Sequence, residues 1–226
     1  MTLTIMEKNN EKLITRTLHT VAPLQIRETG EGEQSRTITG YAILFDTPSA
    51  PLWDDEEEEV REVIAPEAVT KELLDGCDVK MTMFHDRQLI LARSKNGAGT
   101  LTYTVDDKGV AFSFDAPNTA DGDKALELVR RGDISGCSFM FRTRYYDKAF
   151  VERSVKIVNG KAFVLCRVKA IIGIYDFTLA SDPAYPDTSC EARELTADLH
   201  GQESDKDTMR EQVREMRCAA THKPEI

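Results

Sequence analysis

Turn chemistry limits this chain more than any other feature. Asn159-Gly160 separates Ser154–Val158 from Lys161–Val168, and Asn-Gly between two strand-like runs predicts a two-residue β-hairpin. Asp107-Lys108-Gly109 plays the same part between Thr100–Val105 and Val110–Phe114. Branched and aromatic residues mark further strands at Thr37–Phe45 (with Gly40 read as a bulge), Val60–Ile64, Leu89–Ala92, Cys137–Tyr146 and Ile171–Leu179. Val79, Met81 and Met83 alternate and lead to Phe84 and His85. Helical spacing interrupts this rhythm twice. One helix is bracketed by Pro66 and Gly76, with Ala68, Val69, Leu73 and Leu74 on its buried side. The other runs from Gly122 to Arg131, capped by Asp121 and ended by Gly132, with Ala125, Leu126 and Val129 on one face. The pattern predicts an α+β fold: a mostly antiparallel, β-barrel-like core with flanking helices.

The strand-forming part covers residues 35–190. Residues 1–34 read as a polar N-terminal extension with a flexible link at Glu28-Thr29-Gly30-Glu31-Gly32-Glu33. Residues 191–226 form a polar tail with helical tendency, in which Leu195, Leu199, Met209, Val213 and Met216 could line a partner-binding helix or belong to a mobile segment. A formal charge of −10 argues against a nucleic-acid surface, which needs clustered Lys and Arg. The run Asp54-Asp55-Glu56-Glu57-Glu58-Glu59 reads as a solvated loop. Five cysteines at irregular spacing make neither a disulfide framework nor a zinc set, so reduced thiols are expected. No apolar run approaches the ~20 residues of a membrane span, and MTLTIMEKNN lacks a signal-peptide core. The expectation is a soluble protein without membrane, nucleic acid, metal or cofactor.

Chemistry gathers at three places. Ser138 opens the strand after Gly132-Asp133-Ile134-Ser135-Gly136, His85 ends the run before Asp86, and Asp176 sits inside Ile174–Leu179. A hydroxyl, an imidazole and a carboxylate on three strands are the parts for nucleophilic acyl transfer. Each has a plainer reading as well: a small strand residue, a structural histidine, a buried carboxylate paired with Arg142 or Arg167. The surroundings of Ser138 are not the G-x-S-x-G elbow, since Met140 replaces the second glycine and a strand follows. Cys137 is a second candidate nucleophile. On a strand it faces away from Ser138, so only one of the two can meet His85. Free cysteine at such a position ordinarily belongs to the core.

Taken in order, these segments resemble the prohead (capsid maturation) serine proteases of tailed bacteriophages, a family related to the herpesvirus assemblins. Thr39-Gly40-Tyr41-Ala42 is similar to the opening strand, and Val63-Ile64-Ala65-Pro66-Glu67-Ala68 to the "E-x-I-x-P-G-A-F" segment. Phe84-His85-Asp86 resembles "N-H-D", with Phe in place of Asn. Gly99-Thr100-Leu101 with Lys108-Gly109-Val110 resembles the family hairpin, and Gly132–Phe139 resembles "G-x-I-x-G-x-S-F". Tyr175–Leu179 with Asp182-Pro183-Ala184-Tyr185-Pro186-Asp187-Thr188 is similar to "L-x-E-V-S-x-V-x-x-P-A-Y-P-x-T". The resemblance implies an assemblin-like fold and a serine endopeptidase with Ser138 as nucleophile and His85 as general base. Asp176, where the family often has Glu, would orient the imidazole. It further implies as substrates the scaffold, or the scaffold-like segment of the major capsid protein, together with self-cleavage, homo-oligomerisation and action in the host cytoplasm inside the assembling prohead. Two other expectations remain beside it: a catalytically silent scaffold or assembly module of the same fold, and a cysteine hydrolase using Cys137.

Overall fold

The computed structural model describes residues 14–20, 24–27 and 35–181. Runs rich in branched and aromatic residues put most of these residues into three sheets. The largest runs β1-β11-β14-β6-β7-β8, formed by β1 (Ile14–Thr20), β11 (Gly136–Thr143), β14 (Gly173–Ala180), β6 (Asp78–Met83), β7 (Asp86–Lys95) and β8 (Ala98–Gly99). A second sheet, β2-β3-β10-β9, uses β2 (Gln25–Ile26), β3 (Thr37–Leu44), β10 (Gly109–Asp115) and β9 (Leu101–Val105). The third, β12-β13-β5-β4, uses β12 (Val151–Val158), β13 (Lys161–Val168), β5 (Glu58–Ile64) and β4 (Trp53–Asp54). Pairing is antiparallel except at β6–β14 and β5–β13. Ile38 and Ile43 of β3, Met81 and Met83 of β6, Phe139 and Phe141 of β11, and Phe177 and Leu179 of β14 meet in one core.

The barrel expected from the sequence does not close. All three sheets are open, and β1 and β8, the outer strands of the six-stranded sheet, have no further partner strand among the described residues. The two parallel pairs explain the difference. A parallel neighbour cannot be reached by a tight turn, so the chain crosses between sheets instead of winding one antiparallel ladder shut. Asn159-Gly160 does make the β12–β13 hairpin, both residues having positive φ as a two-residue turn requires.

Local departures have local causes. The helix expected between Pro66 and Gly76 divides into a 3₁₀ turn (Pro66–Ala68) and a short α1 (Lys71–Asp75). Between them Val69 and Thr70 are extended, and the Thr70 hydroxyl accepts the Leu73 N–H at 3.2 Å, restarting the helix with a cap. The second helix, α2 (Ala120–Arg131), is capped by Thr119 rather than Asp121, its hydroxyl accepting the Gly122 N–H at 3.3 Å. Gly132 ends it in the left-handed conformation at φ 78°. In β3 the irregular register against β10 falls at Ala42, not Gly40.

The acidic run is more structured than its charge suggested. Asp55 Oδ1 accepts the N–H groups of both Glu57 and Glu58 at 2.8 Å, which turns β4 into β5. Glu58 is buried there. The segment at 14–20, read as part of a polar extension, forms β1, whose alternation was too weak to mark a strand.

Candidate active site

Three adjacent strands carry the polar centre of the large sheet. The β11–β14 register sets Ser138 opposite Thr178, and the β14–β6 register sets Thr178 opposite Thr82. Directly opposed residues share a sheet face, and Asp176, two residues before Thr178, shares it too. All four are buried in a sheet filled mostly by apolar side chains. Buried polar groups persist only where they find partners.

His85 supplies the main one. It lies in the two-residue turn of the β6–β7 hairpin, between the paired Met83 and Asp86, where both Phe84 and His85 have left-handed backbone, at φ 55° and 56°. Such values are uncommon without glycine and cost of order 1 kcal/mol or more each, so the surroundings must hold them. The hairpin pairing does so, and β14 adds to it: Phe84 N–H donates to the Leu179 carbonyl at 3.1 Å, and His85 N–H donates to Thr178 Oγ1 at 2.9 Å. The reversal aims the imidazole back across the sheet. Its Nδ1 lies 3.1 Å from Asp176 Oδ2 and its Nε2 lies 2.9 Å from Ser138 Oγ.

The carboxylate fixes the proton inventory. An ionised Asp176 only accepts, so Nδ1 carries the hydrogen and Nε2 presents a lone pair to the Ser138 hydroxyl. Asp176 Oδ2 also accepts from Thr82 Oγ1 at 3.3 Å, while Asp176 Oδ1 is buried without a hydrogen-bond partner among the described residues. Ser138 Oγ lies 2.9 Å from the Leu18 carbonyl of β1 as well, so its single proton has two acceptors. Ser138, His85 and Asp176, named separately from the sequence, are therefore brought into one hydrogen-bonded line. The shorter Asp side chain reaches the imidazole.

The arginines considered as partners for Asp176 are engaged elsewhere. Arg142 stacks over the Tyr175 ring with its guanidinium 5.2 Å from the centroid, and Arg167 pairs with Asp46. Cys137 is 1% exposed, on the face away from Ser138. Burial pushes its thiol pKa strongly up, and the negative charge of Asp176 adds to the shift. A thiol so placed stays protonated and is a poor nucleophile. Thr82, Thr178 and the Leu18 carbonyl were not singled out from the sequence. Threonine is ordinary in strands, and a backbone acceptor leaves no mark in it. Asp182–Thr188 and the tail 191–226 lie outside the described residues. Among the described residues no group of three or more His, Cys, Asp and Glu could hold a metal ion, and no helix is long and apolar enough to cross a membrane.

A hydroxyl, imidazole and carboxylate in this order are the components of a serine hydrolase site. The sequence profile described as caudovirus prohead serine protease matches residues 22–203, and the chain belongs to that family of serine proteases. No curated protein matches the chain. Among solved structures, the bacteriophage T4 capsid assembly protease, gp21, aligns with 10% identity and a TM-score of 0.37, over 73% of this chain and 97% of that one.

Proposed function

We propose that this capsid-maturation protease is a serine endopeptidase in which Ser138 is the nucleophile, His85 the general base and Asp176 the residue that orients the imidazole. The observation that carries this reading is the hydrogen-bonded line from Asp176 through His85 to Ser138, at 3.1 and 2.9 Å. Ser138 Oγ attacks a scissile carbonyl while Nε2 takes its proton. The imidazolium, held by Asp176, gives that proton to the departing amine, leaving an acyl-enzyme. Water then attacks the ester through the same base, releasing the new carboxyl terminus and restoring the Ser138 hydroxyl.

Family membership supports the substrate class. The protein cuts the internal scaffold, or the scaffold-like segment of the major capsid protein, inside the assembling prohead in the host cytoplasm. It also processes itself, with the 191–226 tail as the segment removed or docked. Relationship to the assemblins and activity as a homo-oligomer belong to the same reading.

Co-expression with the major capsid protein carrying its scaffolding segment, followed by intact-mass measurement, tests it. The wild-type chain yields shortened capsid protein, and Ser138→Ala leaves it full length. Full-length capsid protein with both chains favours the silent assembly module; shortening with both overturns the role of Ser138.

A further inference from the structure

We infer that Thr178 is a positioning residue for the general base: its hydroxyl anchors the backbone of His85, at the tip of the β6–β7 hairpin, to β14 and so sets the imidazole against Ser138. The inference rests on the catalytic reading of Ser138 and His85 and names a group outside that trio.

The two-residue turn of the β6–β7 hairpin calls for left-handed backbone at Phe84 and His85, which is unfavourable without glycine, and nothing in the exposed Phe84 side chain offsets the strain. Beyond the β6–β7 hairpin itself, two backbone donors of the turn end on β14. One acceptor, the Leu179 carbonyl, is main chain and does not depend on sequence. The other is the Thr178 hydroxyl, 2.9 Å from His85 N, on a residue with no solvent exposure. Water therefore does not readily replace it. Asp176 lies on the same strand and face and accepts the ring's Nδ1–H at 3.1 Å, so β14 grips His85 at both backbone and ring.

With the Thr178 acceptor gone, His85 N–H loses that bond, and the hairpin tip is free to shift away from β14. The ring then swings from Ser138 while its chemistry and that of Asp176 are untouched. A displacement of about 1 Å at a reacting group can cost on the order of 100-fold in rate.

The test is the rate of Ser138 acylation by a small fluorophosphonate, which needs the nucleophile and base but no protein substrate. Thr178→Val, nearly isosteric without an acceptor, is expected to lower the maximal inactivation rate at least ~10-fold with the probe's half-saturation unchanged. Thr178→Ser, which keeps the acceptor, is expected to stay within about threefold of wild type. Thr178→Ala is the second acceptor-free variant should the valine chain fail to fold. Hydrogen exchange on the wild-type chain reads the contact directly: the His85 amide is expected to be protected.

Equal labelling of the folded valine and wild-type chains would overturn the inference, as would a serine variant as slow as valine. So would a His85 amide exchanging at open-loop rates. Wild-type chain that takes no label overturns the catalytic reading itself, a failure distinguishable from all three.

Discussion

At Asp176 a single atom decides the proton arrangement. Replacing it by Asn puts a neutral amide against the imidazole, and an amide can donate as well as accept. His85 can then adopt the tautomer with hydrogen on Nε2, which offers Ser138 no base. In the best-studied serine protease triad the same exchange lowers turnover about 10⁴-fold with geometry intact. Asp176→Asn is expected to show a loss of that order in peptide hydrolysis, with near-wild-type thermal unfolding. Activity within tenfold of wild type would remove Asp176 from the site. The neighbouring thiol gives the opposite expectation. Cys137 is buried on the far face of the strand and held protonated. Cys137→Ala should therefore cost about 1 kcal/mol through the cavity it opens, measured by urea unfolding, and leave activity within a few-fold. Loss of activity in that variant with stability intact would revive the thiol mechanism.

Strand and helix ends carry their own tests. Near the start of β6, Asp78 is gripped by Arg93 of β7, with Nε and Nη2 each 2.6 Å from the carboxylate. This pairing, chiefly the Arg93 hydrogen bonds, lowers the Asp78 pKa from 3.8 to about 2. A depressed carboxylate stabilises the fold fully above its unfolded pKa. That stabilisation fades as pH falls from 3.8 and is gone below about 2. Both side chains are more than a third exposed, so the effect is small. Asp78→Asn is expected to flatten the acid limb of the melting-temperature profile over that window and to leave its shape near neutrality alone. An unchanged acid limb would contradict the assignment. At the other helix, Thr119→Ala removes the hydroxyl that caps α2 and is expected to cost about 1 kcal/mol in urea unfolding. A neutral result would mean that Asp121, the residue the sequence suggested, takes over the cap.

The same particulars explain what could be read without coordinates. Turn residues with one strong conformational preference, Asn159-Gly160 and Gly132, marked a hairpin and a helix end correctly, because their backbone demands are local. The Thr119 cap and the split helix at Val69-Thr70 were missed because several nearby residues could cap, and packing chose among them. Ser138, His85 and Asp176 could be named one at a time. Their approach depends on the β11–β14–β6 register, a long-range property that no single segment encodes. The threonines beside them were invisible for the same reason. They look like strand formers until the register sets one against a histidine amide and the other against a carboxylate.

Across the molecule, the six-stranded sheet begins with β1, which lies along the strand bearing Ser138 and gives it the Leu18 carbonyl as a neighbour. A chain starting after residue 20 loses that strand and bares the edge of β11. It is expected to melt at lower temperature and to self-associate on size exclusion, as unpaired edges do. An unchanged melting temperature would mean that β1 contributes nothing to the sheet. The openness of the three sheets, in place of a closed barrel, makes this edge matter.

The central claim is that Ser138 is a nucleophile activated by His85. Mapping a fluorophosphonate adduct by peptide mass spectrometry, on the wild-type chain and on His85→Ala, tests it most directly. The account predicts an adduct on the peptide containing Ser138 in the wild type, and on that side chain alone, with no adduct in His85→Ala over the same time. An adduct on Cys137, equal labelling of the two chains, or no labelling of the wild type would contradict it.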